Sequence, residues 1–410
     1  MTSERHLPDW IEAWMEFTDN TETHDTFRLW TAISVVASAM QRKCYVDWGT
    51  SLLFYPNMYI ILVGPSGCHK GTAMNPGLDI LEDLGKVKIA AQATSLQALI
   101  RRMKDSNYQD QDTVTGKMQF HSSMTIYSKE FTVFLGYHNR ELMSSLCDWY
   151  DCDKKWKYET IARKVEEVVG VWVNLFGATT PSLIQSSLPL DAIGGGLTSR
   201  IVYVFEGHTE KMVIMPMQTD KERALREHLL FDLDKISLLS GRFRYTDAFM
   251  EKWTDFRIYD RANPPFVDYR FGGYMSRRPT HIMKLSMIMS AARGDRESDL
   301  VLTGRDLDRA IAILNETEEK MQNVFSGVGK SDIADLLDRM MSFLLMSKTS
   351  EVPVFQIASH FRADMDKFTM DRVFATLEAM NFCRVCHRPG ADDYVKVLGK
   401  VEDKEVKHES

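Results

Sequence analysis

Residues Tyr59–Asn75 read YIILVGPSGCHKGTAMN. An apolar run, Met58–Val63, leads into a glycine-rich turn and then into a stretch of helical spacing. Strand, G-x-x-x-x-G-K-[ST] and helix, in that order, make a phosphate-binding loop. Gly64 and Lys70 stand at the separation the pattern requires. His69 occupies the place of the second glycine, Gly71 that of the hydroxyl residue, and Thr72 comes one position late. Glycine tolerates a left-handed backbone that a Cβ resists, so His69 costs about 1–2 kcal/mol if that geometry is kept, which a folded domain can absorb. The stretch predicts nucleotide binding by Gly64, Pro65, Ser66, Gly67, Cys68, His69, Lys70, Gly71 and Thr72. Lys70 would reach the β- and γ-phosphates, and Thr72, or less favourably Ser66, would face Mg²⁺. A glycine-rich turn without a ligand is the plainer reading.

A triphosphate site also needs a carboxylate to handle water or metal. His121–Phe134, HSSMTIYSKEFTVF, is an apolar run ending in Ser128-Lys129-Glu130. Glu130 is the candidate for water activation and Ser128 a candidate near the metal, with Asp148 and Asp151 as other acids in the neighbourhood. Val171–Pro181, VWVNLFGATTP, would end a strand in Thr179 and Thr180, polar groups suited to sensing a γ-phosphate, with Asn174 a weaker choice. Asp191–Glu206, DAIGGGLTSRIVYVFE, is a flexible loop presenting Arg200, which could stabilise charge on a neighbouring chain's γ-phosphate. Arg277-Arg278 opens a later helix, and Arg278 is a further candidate for the nucleotide. Each element has an ordinary reading as well, a strand-end turn or a surface ion pair; their order along the chain makes the case.

The chain has 410 residues, is 44% hydrophobic and 26% charged, and carries a net charge of −7. This is a globular composition of a length that suits two or three domains. Nucleic-acid contact would have to come from a local basic patch rather than the global field. Six cysteines form no dense framework, no run approaches a membrane span, and MTSERHLPDWIEAW lacks the apolar core of a secretory signal. The expectation is a reduced, cytoplasmic compartment, with no membrane partner. Cys383-Arg-Val-Cys386-His387 has the spacing of haem attachment, but two cysteines on a strand is the simpler reading.

Phe27–Met40 is apolar almost all round and predicts a buried helix. Strand-like runs at Tyr59–Val63, Lys86–Ala91, Ser123–Tyr127, Val168–Phe176 and Arg200–Phe205 alternate with helical segments at Thr72–Leu84, Ser95–Met103 and Glu141–Trp149. That alternation predicts an α/β sheet with helices on both faces. The expected organisation is an N-terminal helical segment over 1–56, a nucleotide-binding core over 57–206, a helical lid over 207–329, a winged helix-turn-helix over 330–399 and a disordered tail over 400–410. The winged helix follows from the order helix, strand, helix, helix and a two-stranded wing.

The chain resembles the phage- and prophage-encoded P-loop ATPases of AAA+ and RecA-like type described as DNA primase/helicase or replication proteins. PNMYIILVGPSGCHKGTA, SKEFTVFLG, LCDWYDCDKKWKYET, LFGATTP and AIGGGLTSRIVYVFE carry the likeness, over about Phe27–Phe325. Members commonly place a bulky or basic residue before the Lys and K-G-T after it, so His69 resembles a family feature. The resemblance implies an α/β P-loop ATPase that uses ATP and Mg²⁺ and works on single-stranded or forked DNA in a bacterial host's cytoplasm. It would act as a ring, a hexamer, alongside other replication proteins. Ring helicases of this class often place a β-hairpin where WKYETIARK stands. Lys154, Lys155, Lys157, Arg163 and Lys164, with Trp156 and Tyr158 interleaved, suit a groove that tracks the backbone and stacks bases. Lys367 and Arg372 are the cations on the presumed recognition helix. Across 330–400 there are ten Lys/Arg and ten Asp/Glu, so strong non-specific DNA binding by that part alone is not expected. An ATP-switched scaffold or helicase loader is the alternative function. A nucleoside monophosphate kinase is suggested by K-G-T alone and disfavoured by the 60-odd residues ahead of the loop.

Overall fold

The computed structural model describes residues 5–49, 52–91, 94–112, 116–136, 139–160, 163–187, 195–294, 300–325, 334–347, 349–362, 364–388 and 392–398. The expected tail over 400–410 lies outside them. The chain divides into two compact units, Met1–Gly327 and Val328–Ser410. Among the described residues, no helix is long and apolar enough to cross a membrane.

The first unit is mixed α/β. Its main sheet runs, edge to edge, Asn107–Gln111, Met118–Ser128, Val171–Thr179, Tyr59–Val63 and Ile201–Phe205. The last four are mutually parallel, and Asn107–Gln111 is antiparallel to its neighbour. Tyr59–Val63 is flanked on both sides and every residue is buried, as is every residue of Val171–Thr179. A strand covered on both faces shows no alternation, which is why YIILV and VWVNLFGAT read as continuous apolar runs. The strand expected at Lys86–Ala91 shrinks to one parallel bridge between Ile89 and Thr125. The antiparallel hairpin of Asn107–Gln111 takes the rest of that edge.

Helix Asp25–Met40 crosses one face of this sheet, buried along almost its whole length. Asn174 sits mid-strand and is spent on that packing. Its Oδ1 accepts from the Met58 N–H at 2.9 Å, and its Nδ2 donates to Ser34 Oγ at 3.1 Å and Ser38 Oγ at 3.0 Å. Helix Lys70–Leu84 lies on the same side. A Cβ on its Gly77 would fall 2.6 Å from Thr31 Cγ2 and 2.8 Å from the Tyr127 hydroxyl, so glycine sets how closely that helix approaches. Phe131–Leu135 and Arg140–Tyr150 cover the other face, where the Tyr59 hydroxyl donates to Leu146 O at 2.8 Å.

A second sheet has the order Val301–Leu302, Gly241–Tyr245, Cys44–Asp47, Leu53–Phe54. Cys44–Asp47 pairs in parallel with Gly241–Tyr245, so the segment before the glycine-rich loop and the segment after residue 207 share hydrogen bonds. The residues expected to form an N-terminal segment, a core and a lid thus belong to one compact unit.

The second unit runs helix Ala334–Met346, strand Glu351–Pro353, helices Val354–His360 and Lys367–Ala379, then strands Cys383–Cys386 and Tyr394–Val397. Tyr394–Val397 is central in an antiparallel sheet of three. Met340, Leu344, Ile357, Val373, Leu377 and Val395 make its core. Asp366 caps the Lys367–Ala379 helix by accepting the Thr369 N–H at 2.8 Å. Cys383 is buried and Cys386 half-buried on the same strand, three residues apart and so on opposite faces.

Candidate functional site

Parallel strands bring their carboxyl ends to one edge, and the loops that leave that edge are where α/β sheets bind ligands. Val63 pairs with both Thr179 and Phe205, and Ser128 with Gly177. The glycine-rich loop, Ser128, Thr179 and Glu206 therefore leave the sheet side by side.

The loop backbone is left-handed at Gly67 (φ 85°) and at His69 (φ 57°, ψ 25°). His69 is the N-cap of helix Lys70–Leu84, and its side chain makes no capping bond. The N–H groups of the first turn are thereby left for something else. Gly64 has no room for a side chain: a Cβ would lie 2.5 Å from Glu206 O and 2.6 Å from Cys68 Sγ. Cys68 is buried and fixes the loop from inside, while Ser66 and Gly67 are exposed and Pro65 and Gly71 partly so. Lys70 Nζ donates to the carbonyls of Gly64 at 2.7 Å and Pro65 at 2.8 Å, and thus folds over the loop's own mouth. Thr72 is exposed in the first helical turn.

Ser128 is buried at the end of its strand and Glu130 is exposed two residues on, as the N-cap of Phe131–Leu135, with no capping bond from its side chain. Thr179 is buried and donates to Thr132 Oγ1 at 3.5 Å; its carbonyl accepts from the Gly64 N–H at 3.4 Å. Thr180 is spent on the start of the next helix, with its Oγ1 3.1 Å from Ser182 Oγ.

Three residues not anticipated from sequence join this edge. Glu206 ends its strand, buried, and accepts from Lys320 Nζ at 2.7 and 2.8 Å and from Thr26 Oγ1 at 2.7 Å. Its place directly after VYVF was a readable signal, a carboxylate at a strand end. Lys320 had none, because it comes from helix Gly304–Met321, far along the chain. Glu22 Oε2 stands 3.6 Å from His69 Nε2, so the residue that breaks the glycine pattern has a carboxylate partner.

Other expected residues lie elsewhere. Arg200 precedes its strand and sits at the amino edge, five residues of sheet away from the loop. Its guanidinium donates to Asp151 Oδ2 at 2.5 Å and Gly196 O at 3.0 Å. Burial works against its charge, but Asp151 outweighs that and raises its pKa. The loop residues 191–194 ahead of it lie outside the described residues. Arg277 reaches Ser199 Oγ at 3.2 Å and Asp151 Oδ1 at 3.5 Å. Arg278 is buried, with Nε on both Glu318 oxygens at 2.8 and 3.0 Å, Nη2 on Asn315 Oδ1 at 2.5 Å and Nη1 on Asp260. Within one chain, neither Arg200 nor Arg278 joins the loop's edge.

Cations are buried all through this amino edge. Arg42 donates to Cys152 O at 2.5 Å and Val171 O at 2.6 Å and lies over the Tyr55 ring. Lys284 donates to Asn57 Oδ1 at 2.6 Å, and burial lowers its pKa to about 8. His281, next to the Tyr150 hydroxyl at 3.2 Å, is pushed by burial to about 3 and stays neutral.

Lys155–Thr160 and Arg163–Val169 form the antiparallel hairpin the sequence suggested. Lys154, Lys155 and Lys157 are exposed, and Lys155 and Lys157 share Glu167 at 3.0 and 3.6 Å. Trp156 and Tyr158 stack 5.9 Å apart. The side chains of Arg163 and Lys164 lie outside the described residues. Lys367 and Arg372 are exposed on one helix of the second unit.

Among the described residues, no three His, Cys, Asp or Glu side chains gather to hold a metal. Mg²⁺ does not require such a cluster, because it keeps waters and takes substrate phosphates as ligands. An exposed Thr72 hydroxyl beside a helix N-terminus is compatible with it. No known family model matches the chain, and no curated protein matches it.

Proposed function

We propose that the protein is an ATP-hydrolysing DNA-processing enzyme, a P-loop NTPase of AAA+-like and RecA-like type that works as a ring-forming replicative helicase or translocase. One observation carries the reading. Gly64–Thr72 joins a fully buried strand to a helix N-terminus in a backbone left-handed at Gly67 and His69, with Lys70 at its mouth. That is the geometry in which consecutive N–H groups can converge on phosphate oxygens.

In this reading the loop N–H groups wrap the β- and γ-phosphates, and Lys70 exchanges the Gly64 and Pro65 carbonyls for them. Mg²⁺ would be held by Thr72 and Ser128, and when bound it would neutralise phosphate charge. Glu130, exposed beside the loop, orients the attacking water and takes its proton. Thr179 and Thr180 supply polar contacts to the γ-phosphate. Arg200 stands at the far edge of its own sheet and so serves the nucleotide of a neighbouring copy. The Lys155–Val169 hairpin supplies Lys154, Lys155, Lys157, Arg163 and Lys164 to DNA phosphates and Trp156 and Tyr158 for stacking. The second unit has the helix and strand order of a winged helix, with Lys367 and Arg372 toward DNA.

A second reading, an ATP-switched scaffold or loader, is favoured by the pairing of Lys155 and Lys157 with Glu167 and by the charge balance across 330–400. The test is ATP hydrolysis with and without single-stranded and forked DNA, beside Lys70→Ala and Glu130→Gln. DNA-stimulated turnover that falls at least about 100-fold in both variants is the expected result. Binding of ATP without DNA-stimulated turnover would move the assignment to the scaffold.

A further inference from the structure

Beyond Ser123–Tyr127 the main sheet stops short. The chain meets that edge at Lys88–Ala90 and makes one bridge, in which the Ala90 N–H donates to Thr125 O at 2.9 Å and the Thr125 N–H donates to Lys88 O at 2.8 Å. Between this stub and the second half of helix Lys70–Leu84 lies a groove of about 410 Å³, open to solvent and in the size range of natural binding clefts. Leu78, Leu81, Val87 and Ile89 line it with apolar surface, and Lys88 and Arg102 line it with charge. Leu81 is buried, and Leu78, Val87 and Ile89 are half-buried. Glu82 is the one acid of the lining among the described residues.

The charge of this region is set against that of the whole chain. Residues 86–104 carry five Lys or Arg and no Asp or Glu, in a chain of net charge −7. Lys86 is paired with Asp234. Lys88, Arg101, Arg102 and Lys104 are exposed and, among the described residues, have no carboxylate partner. Helix Leu96–Asp105 buries Leu96, Leu99, Ile100 and Met103 and so turns its cations outward. Arg102 is also held in place. Its Nε donates to Ile89 O at 3.0 Å, which fixes the guanidinium on the stub, and its two terminal nitrogens have no partner among the described residues. An anchored guanidinium with its fork unoccupied is set up to take a carboxylate by two parallel hydrogen bonds.

We infer that this groove is a docking site for an acidic segment of a partner protein, which places a carboxylate on the Arg102 fork, a second near Lys88, and an apolar side chain against Leu78, Leu81, Val87 and Ile89. Charge complementarity names the partner's acids, and the aliphatic lining names its apolar residue. A nucleic acid fits less well. Its strand has no aliphatic knob for the groove and stacks on aromatic rings, whereas the one aromatic lining residue, Tyr127, is buried with its hydroxyl donated to Met74 O. Glu82 would also repel a continuous phosphate backbone, while a peptide can set its acids at the Arg102 side alone. The inference goes beyond the proposed function and does not rest on it.

The test is selection of short random peptides, displayed on phage, against the immobilised full chain. Enriched sequences are then synthesised with a fluorescein label and titrated by anisotropy against the wild type, Arg102→Glu, Lys88→Glu and Arg102→Lys. All four substituted side chains are exposed, and far-UV circular dichroism checks that each variant folds. The expected consensus sets Asp or Glu beside a large apolar residue, and replacing either by Ala weakens binding. Affinity is expected to fall at least about tenfold in Arg102→Glu and in Lys88→Glu, and several-fold in Arg102→Lys, which keeps the charge and loses the fork. A selection that yields no binder, a consensus without acids, or peptides that bind both Glu variants as tightly as the wild type would overturn the inference. A fluorescein-labelled oligothymidylate is titrated in parallel. If its affinity falls tenfold in Arg102→Glu while the peptides' does not, the groove is a nucleic-acid contact and the peptide reading is wrong.

Discussion

The two edges of the main sheet hold their cations in opposite ways. At the carboxyl edge, Lys70 rests on two carbonyls of its own loop, and His69 and Gly67 keep a left-handed backbone. At the amino edge, Arg42, Arg200, Arg278 and Lys284 are buried and held by carbonyls, carboxylates or an amide oxygen. A buried cation that loses its partners leaves unpaired groups out of water, whereas a half-exposed cation on its own loop's carbonyls can be lent to a ligand at smaller cost. The amino edge is built to stay as it is, and the carboxyl edge is built to change partners.

Arg42→Ala should break this contrast most strongly. It strands the Cys152 and Val171 carbonyls and should cost about 3–5 kcal/mol in urea unfolding; a loss under about 1 kcal/mol would mean that the amino edge is not the rigid one. Gly64→Ala forces a methyl into Glu206 O and Cys68 Sγ. About 1–3 kcal/mol should be lost, together with nucleotide binding, measured by denaturation and by analogue fluorescence on the same preparation.

The acid limb of the stability curve sharpens the comparison further. His281 titrates near 6.5 when unfolded and at about 3 when folded. The unfolded state holds more protons between those values, so the stability due to the neutral ring is intact above pH 6.5 and is lost as pH falls toward 3. The slope from this group approaches about 1.4 kcal/mol per pH unit mid-window. Denaturation midpoints of His281→Phe from pH 4 to 7 should be visibly flatter than those of the wild type, and parallel curves would remove His281 from the account. His69→Gly should have the smallest effect, a gain of up to about 1 kcal/mol from relief of the left-handed backbone. A clear loss would show that the contact with Glu22 outweighs that strain.

Much of the first unit was legible because its signals are local. YIILV and VWVNLFGAT are apolar without alternation, as strands covered on both faces must be. Gly, His and Lys at fixed spacing named the loop, and the cost expected of His69 matches its φ of 57°. The hairpin after Trp149 was expected from the family resemblance rather than from the pattern of its own residues. Lys86–Ala91 was not readable as a single bridge, because a competing hairpin at 107–111 takes the same edge, and edge competition is a tertiary matter. Nor was Asn174 readable as a buried anchor, since its partners sit some 140 residues earlier in the chain.

The sequence alone determined that Tyr59–Val63, Ser123–Tyr127 and Ile201–Phe205 lie in strands, where the glycine-rich loop turns, and that His69 strains it if the left-handed backbone is kept; these depend on side-chain period and backbone sterics within a few residues. Only the tertiary structure decided which side chains share the loop. It brought Glu206, Lys320 and Glu22 to that edge and carried Arg200 and Arg278 away from it. The reason is physical. A parallel sheet sorts residues by whether they leave or enter a strand, and that sorting brings together groups from distant parts of the chain whatever their order in sequence.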